Sequence, residues 1–134
     1  MSKKLVLISF LALGLIGFLR ILPAEAQLTA SVNMVTDGTG DYFRDVASST
    51  GAPLVPAMTA ISQGGTVTWN NVAGFHNVTS QADNVPPHGP PAACGTGDTF
   101  ASGFGIATYS FTFNAPGTCA YYCQIHPVTM IGQV

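Results

Sequence analysis

The sequence predicts an all-β domain, a Greek-key β-sandwich of seven to eight strands, and three observations support this prediction. From Gln27 onward, no run of apolar residues at helical spacing is longer than a turn or two. Short alternating or β-branched runs recur instead, and glycine-rich or proline-rich turns separate them. Seven or eight such runs in a segment of this length are typical of a two-sheet sandwich.

Residues 1–26 are predicted to be a secretory signal peptide. Two lysines precede an apolar run at residues 5–19, and Ala24-Glu25-Ala26 is a small-residue cleavage pattern. The alternative is an uncleaved membrane anchor, but Arg20 interrupts the run, which is shorter than the roughly 20 apolar residues of a membrane-spanning helix. We therefore expect one domain, residues 27–134, in the periplasm or exported elsewhere, with no membrane span in its mature form.

The mature segment carries few charges. Arg44 is its one basic residue against five aspartates, which gives a formal charge of −4. Nucleic acid is excluded as a partner by this composition, because binding to phosphates depends on clustered basic residues. No strong association surface is evident, so a monomer is expected.

The first half of the domain contains the less regular strands. Leu28 to Val35 is predicted to be the first strand, and Met58 to Ile61 is a short strand candidate. The intervening residues 36–56 are rich in Gly, Ser, Thr, Asp and Pro, so a long loop or an irregular edge is expected there. No role for this segment follows from its sequence.

Two further strands follow the Gly64-Gly65 turn. The segment from Thr66 to Asn70 alternates, so that Val67 and Trp69 face the core as packing residues. Phe75 to Ser80 is predicted to form the next strand, and this strand would carry His76.

The segment from Asp83 to Thr99 is rich in proline, which excludes a central strand and predicts a surface loop. His88 lies in this loop, where a solvated side chain is expected and metal binding is the alternative. Thr108 to Phe113 then alternates with its aromatic residues on the buried side, and Pro116-Gly117 provides turn chemistry.

The last two strands follow that turn. One is predicted to place three residues on its inner face: Cys119, Tyr121 and Cys123. Tyr122 would then point away from the core. Residues 128–134 return as the final strand.

The segment from Tyr121 to Met130 brings together a thiol, an imidazole and a thioether, carried by Cys123, His126 and Met130. A thiolate and two imidazoles in a trigonal arrangement, with a weak axial thioether, form a blue-copper electron-transfer site. His76 is the candidate for the second imidazole, because strands that are distant in sequence meet readily in a sandwich. The sequence therefore predicts one copper ion bound by these four residues.

The three cysteines are consistent with this prediction. If the metal holds Cys123 as a thiolate, then Cys94 and Cys119 can pair with each other, and an exported protein permits that disulfide. The alternative is that Cys119 is a buried free thiol that behaves as a small hydrophobe.

Four motifs occur in the order seen in cupredoxins. They are Gly64-Gly65-Thr66-Val67-Thr68-Trp69-Asn70, His76-Asn77-Val78-Thr79, Tyr109-Ser110-Phe111-Thr112-Phe113 and Pro116-Gly117-Thr118. The segment from Gln27 to Val134 therefore resembles plastocyanin-like and amicyanin-like blue-copper proteins, weakly before Met58 and strongly from Gly64 on. The resemblance implies a cupredoxin-like sandwich whose copper ligands fall on the four residues predicted above.

The sequence departs from the family pattern at two positions. Three residues separate His126 from Met130, whereas plastocyanin-like loops usually have four and amicyanin-like loops two. Cys119 stands where the family often has an aromatic residue, and this departure favours the disulfide.

The resemblance also implies a function, an exported carrier that cycles between Cu(II) and Cu(I) and exchanges single electrons with redox partner proteins. Electrons would pass through His126, beside an apolar rim that includes Pro127 and the prolines of the preceding loop. Tyr122 is a possible second exit, or an ordinary surface tyrosine. Asn77 is expected to tie the two ligand-bearing segments together by hydrogen bonds, a plain strand-edge asparagine being the alternative.

Other functions fit the residues less well. A catalytic Cys-His pair would need a substrate cleft and an oxyanion hole, and the sequence shows no sign of either, so an enzyme is not expected. A zinc site of one cysteine and two histidines would leave the methionine without a purpose. The main alternative is a periplasmic copper chaperone or copper store, but the mature chain has no methionine or histidine tract.

Overall fold

The computed structural model describes residues 27–134, and these residues form eight β-strands in two four-stranded sheets. The strands are β1 (Gln27–Asp37), β2 (Gly40–Asp45), β3 (Ala57–Met58), β4 (Ile61–Asn71), β5 (Thr79–Gln81), β6 (Thr108–Phe113), β7 (Ala120–Tyr122) and β8 (Ile131–Gln133). The sheets have the strand orders β2-β1-β4-β6 and β3-β8-β7-β5. The predicted all-β sandwich is confirmed. The predicted signal peptide, residues 1–26, lies outside the described residues.

The first sheet shows the alternation expected of strands with one buried face. Val32 and Met34 of β1 are fully buried, as are Val67 and Trp69 of β4, while the intervening side chains are only partly buried. The two strands are parallel neighbours, and Val32 pairs with Trp69. The core positions predicted for Val67 and Trp69 are confirmed. Within residues 27–134, no helix is long and apolar enough to cross a membrane.

Aromatic side chains fill the space between the two sheets. Trp69 packs edge-on against Tyr121 of β7, with 5.1 Å between ring centroids. Phe43 contacts the same tyrosine at 4.9 Å. Phe100 packs against Trp69 at 5.6 Å and against Phe111 at 4.6 Å. Such aromatic pairs contribute about 1 kcal/mol each beyond their buried area, so these contacts hold the two sheets in a fixed relation.

A disulfide joins Cys94 to Cys119. It fastens the proline-rich loop to the start of β7, and both cysteines are buried. Cys119 is therefore not a free thiol, and Cys123 is the one free cysteine of the described chain. The pairing expected from the cysteine count is confirmed.

The expectation of a long loop or an irregular edge at residues 36–56 is wrong for its first part, because β2 is a regular strand that forms a hairpin with β1. The Asp37 carboxylate holds the turn by accepting hydrogen bonds from the Thr39 hydroxyl (2.6 Å), the Tyr42 hydroxyl (2.6 Å) and the Thr39 backbone N–H (2.8 Å). These bonds lower the pKa of Asp37 to about 2, the bond from the Thr39 hydroxyl being the largest cause. The polar residues that suggested a loop are thus the residues that close the hairpin.

The strand predicted from Phe75 to Ser80 is also wrong in part, because only its end belongs to β5 and His76 lies in the preceding loop. Gly74 turns the chain there with φ +96°. The segment then pairs irregularly with residues 102–105, since Gly105 N–H donates to the His76 carbonyl and Ser102 N–H to the Val78 carbonyl. Consecutive side chains from His76 to Ser80 are buried, so this segment lacks the alternation of a strand with one exposed face.

Candidate metal centre

The loop between β7 and β8 brings three of the predicted ligands close together along the backbone. Cys123 directly follows β7 and Met130 directly precedes β8, and these strands are antiparallel neighbours. The Cys123 N–H donates to the Met130 carbonyl at 3.0 Å, and the Met130 N–H donates to the His126 carbonyl at 3.0 Å. The His126 N–H in turn donates to the Cys123 carbonyl at 3.2 Å. The loop is therefore closed at its base by strand pairing and internally by its own backbone.

His76 reaches the same place from the loop that precedes β5. It precedes β5, which pairs with β7 so that Thr79 lies opposite Tyr122. One ligand atom each from His76, Cys123 and His126 lies within 4.8 Å of the others. The Cys123 Sγ is 3.8 Å from Nδ1 of His126. The structure thus brings together three of the four predicted ligands, although His76 lies 47 residues before Cys123 in the chain.

The His76 ring has one satisfied nitrogen and one that is free. Its Nε2 lies 2.8 Å from the Ala73 carbonyl, which can only accept, so the proton is on Nε2. Its Nδ1 is buried and has no hydrogen-bond partner. Burial also lowers the pKa of His76, which keeps the ring neutral. A buried acceptor without a partner is costly, whereas a neutral imidazole with a free lone pair is a metal ligand.

His126 is the most exposed member of the group, although it is itself half-buried. Its Nδ1 lies 3.8 Å from the Cys123 thiol, while its Nε2 lies 3.5 Å from the Asp41 carboxylate. About 26% of the His126 side chain is exposed, whereas His76 and Cys123 are fully buried. Any contact between this cluster and another molecule would therefore be made at His126.

Asn77 makes the hydrogen bonds that the sequence leads us to expect. Its Nδ2 donates to Oε1 of Gln124 at 2.8 Å and to the Thr79 hydroxyl at 3.1 Å. Its Oδ1 accepts from the backbone N–H of Gln124 at 2.8 Å. Asn77 is completely buried, so it is not a plain asparagine at a strand edge. It fixes the segment that carries His76 to the loop that carries Cys123.

Met130 is fully buried and belongs to the hydrophobic core between the sheets. Its backbone bonds hold it at the end of the loop opposite Cys123. The assignment of its thioether as the axial ligand stays a prediction.

His88 and Tyr122 lie where the sequence did not lead us to expect them. The proline-rich loop covers the outer face of β7, so Tyr122 is only 2% exposed and is not a surface tyrosine. Its hydroxyl donates to the Gly89 carbonyl. His88 stacks on the Tyr122 ring, with 4.4 Å between centroids, and is therefore not simply solvated. It is also not a member of the His76, Cys123 and His126 group.

Sequence reasoning missed two residues beside the histidines, Thr36 and Asp41 of the β1–β2 hairpin. The Thr36 hydroxyl lies 3.0 Å from Nε2 of His76 and donates to the Asp41 carboxylate at 2.5 Å. The glycine of the two-residue turn Gly38-Thr39 was the available signal, because glycine at the first central position is typical of a tight hairpin turn. Nothing in the sequence shows that this hairpin lies against the histidines.

A family model described as copper binding proteins of the plastocyanin/azurin family matches residues 46–134. The chain belongs to this family. Its cofactor is copper, in keeping with one type 1 copper beside His76, Cys123 and His126.

Known proteins similar to this cupredoxin include plastocyanins. The plastocyanin of Vicia faba is 34% identical over 90 residues, which cover 66% of this chain and 91% of the relative. The chloroplastic plastocyanin of Tetradesmus obliquus is 29% identical over 117 residues, covering 86% and 79% of the two chains. The solved structure of a pseudoazurin from Sinorhizobium meliloti has a TM-score of 0.53 at 22% identity and covers 78% of this chain and 70% of its own. The last likeness shows a shared fold.

The cupredoxin site depends on a glycine beside His76. A Cβ on Gly74 would collide with Oγ1 of Thr36 and lie 2.5 Å from Nε2 of His76. We expect Gly74→Ala to displace the His76 ring and to weaken copper binding by about tenfold to a hundredfold, the usual cost of losing a hydrogen-bond partner of a metal ligand. Competition titration against a chelator measures this loss.

Gly64→Ala is the matched control for Gly74→Ala. Gly64 also has positive φ, +80°, but a Cβ there would meet nothing within 4 Å. Both variants carry the backbone strain of an alanine at positive φ. If the two variants bound copper equally well, Gly74 would not be needed to leave room for the His76 ring.

Proposed function

We propose that this cupredoxin is an exported one-electron carrier whose type 1 copper is held by His76, Cys123, His126 and Met130. The observation that carries the proposal is the buried, unpartnered Nδ1 of His76 in a group whose ligand atoms lie within 4.8 Å of one another. Two imidazoles and one thiolate form the trigonal set of a blue-copper site, with a weak thioether as the axial ligand.

When bound, the copper supplies the Cu(II)/Cu(I) couple. Cys123 binds as the thiolate, because a metal ligand must lose its proton. The hydrogen bonds of Asn77 to Gln124, together with the backbone bonds within the loop, hold the ligands in one arrangement. A fixed arrangement suits electron transfer, because little has to move when the charge on the metal changes.

Electrons would enter and leave at His126, the exposed edge of the cluster. Ile125 and Val128 of the same loop are exposed apolar residues beside it. Apolar surface around an exposed redox ligand suits a small, short-lived contact with a redox partner protein.

Export is part of this proposal. The signal-like segment at residues 1–26 supports it, and the alternative is an uncleaved anchor. The Cys94–Cys119 disulfide also supports it, because such bonds form and persist in oxidising compartments.

Reversible voltammetry and a chelator challenge test the carrier proposal on residues 27–134 loaded with copper. A carrier should give one reversible one-electron wave and retain its copper in both oxidation states, since three of its four proposed ligands are fully buried. Loss of the metal to the chelator as soon as it is reduced would favour a copper chaperone or store instead.

The axial position is tested by Met130→Leu. We expect the blue colour to remain, because the thiolate and the two imidazoles are still present. The reduction potential should rise by up to about 59 mV, a tenfold change in the Cu(I):Cu(II) ratio for a one-electron couple, because removal of a weak donor destabilises Cu(II) more than Cu(I).

Met58→Leu is the matched control, since Met58 lies in β3 and is 45% exposed. Equal potentials for Met130→Leu, Met58→Leu and the unmodified protein would show that Met130 is not the axial ligand.

A further inference from the structure

One carboxylate lies beside the outer nitrogens of both histidines. Oδ1 of Asp41 accepts a hydrogen bond from the Thr36 hydroxyl at 2.5 Å. That same hydroxyl oxygen lies 3.0 Å from Nε2 of His76. Oδ2 of Asp41 lies 3.5 Å from Nε2 of His126. Asp41 therefore reaches His126 directly and His76 through Thr36, with a different oxygen for each.

The hydrogen bonds in this network have a consistent direction. The Thr36 hydroxyl gives its proton to the carboxylate, so its oxygen can accept from the Nε2–H of His76, a proton that it shares with the Ala73 carbonyl. The 3.5 Å from Asp41 to His126 is long for a hydrogen bond and within the range of an ion pair. For His126 the carboxylate favours a proton on Nε2, and for His76 the Thr36 oxygen acts together with the Ala73 carbonyl to the same effect. In both rings Nδ1 is left to face the cluster.

Contacts within the β1–β2 hairpin and beside Gly74 hold Asp41 in this position. Thr36 and Asp41 are direct cross-strand partners in the β1–β2 hairpin. The carboxylate of Asp37 closes the turn between them. Gly74 has no side chain, and this lets Thr36 approach His76. Asp41 itself is only 26% exposed.

We infer that Asp41 is a positioning residue of the copper site, which orients the His126 ring directly and the His76 ring through Thr36, and whose negative charge lowers the reduction potential. The inference rests on the proposed function. A carboxylate behind a ligating histidine fixes the tautomer and orientation of the ring and makes it a better donor. A nearby negative charge also stabilises Cu(II) more than Cu(I), because the interaction scales with the charge on the metal.

The first test compares reduction potentials of copper-loaded Asp41→Asn and Asp98→Asn. Both variants remove one negative charge and keep the shape of the side chain. The Asp98 carboxylate accepts a hydrogen bond from the Thr96 hydroxyl near the disulfide. Cys119 of that disulfide lies four residues before Cys123, and four residues of extended chain span about 13 Å. We expect Asp41→Asn to raise the Cu(I):Cu(II) ratio at a fixed potential about tenfold and Asp98→Asn to change it less than about twofold.

The link through Thr36 is tested by Thr36→Val, alone and combined with Asp41→Asn. Residues in one hydrogen-bond network give non-additive effects, while independent residues give additive ones. We expect Thr36→Val to raise the potential by less than Asp41→Asn does, and the double variant to fall short of the sum. Strict additivity would overturn the Thr36 link.

A second readout needs no copper. Nitrogen-15 NMR of the histidines in the copper-free protein, at a pH where the rings are neutral, reports which nitrogen carries the proton. The unmodified protein should hold its proton on Nε2 in both rings. His126 should become a mixture of tautomers in Asp41→Asn and remain unchanged in Asp98→Asn.

Two failures can be told apart. If copper forms the blue site but Asp41→Asn matches Asp98→Asn in potential and in tautomers, the role of Asp41 is refuted while the proposed function stands. If the unmodified protein forms no blue site, the proposed function fails, and the tautomers of the copper-free protein still decide whether Asp41 orients His126.

Discussion

Replacing Cys123 by serine should abolish the intense blue colour of the copper-loaded protein. The colour of such a site comes from the soft, covalent bond between copper and a thiolate, and serine offers a harder oxygen that keeps its proton at neutral pH. Cys123 is fully buried and is the one free cysteine of the described chain. Copper affinity should fall by more than the roughly tenfold to hundredfold that follows from losing an outer hydrogen bond to a ligand.

Absorption spectroscopy and copper stoichiometry measure both effects. The control is the double variant Cys94→Ala/Cys119→Ala, which removes the other two sulfur atoms and should stay blue. A blue Cys123→Ser protein would contradict the assignment of this thiol as the ligand.

The same double variant should unfold more easily. The Cys94–Cys119 bond closes a loop with a sequence separation of 25, and the chain-entropy relation gives a stabilisation of about 3.5 kcal/mol for a loop of that size. Because both cysteines are buried in the core, lost packing adds to that value. We expect the free energy of unfolding, measured by denaturant titration of the copper-free protein, to fall by about 3 to 5 kcal/mol.

Reduction of the unmodified protein by a thiol reductant provides the matched comparison, since it breaks the Cys94–Cys119 bond, adds one hydrogen to each sulfur and removes no atom. It should approach the stability of the double variant. An unfolding midpoint that stays the same in both cases would contradict a stabilising disulfide. The copper site should still assemble wherever the fold survives, because pairing of β7 with β8 sets the loop that carries Cys123.

The sequence predicted the parts of the molecule whose pattern is local. Alternation along β4 placed Val67 and Trp69 in the core, and both are completely buried. Cys123, His126 and Met130 lie within one short segment, so their chemistry could be recognised before any fold was known. His76 could be added because a sandwich brings distant segments together, and the structure has it beside Cys123 and His126.

The sequence could not predict features that depend on contacts between distant segments. The β1–β2 hairpin carries Asp41 to the histidines, but its polar composition looks like a loop. Tyr122 was expected to point outward, and its outer face is instead covered by the proline-rich loop, where His88 stacks on it. In each case the residue that makes the unexpected contact lies at least 33 residues away in the chain or in another sheet.

The most direct test of the blue-copper site is the spectrum that forms when Cu(II) is added to residues 27–134. We expect one copper per chain, an intense blue absorption and, by electron paramagnetic resonance, a narrow copper hyperfine splitting. These are the signs of a copper–thiolate bond in a trigonal site. A pale product with a wide hyperfine splitting, typical of tetragonal copper with nitrogen and oxygen ligands, would contradict it.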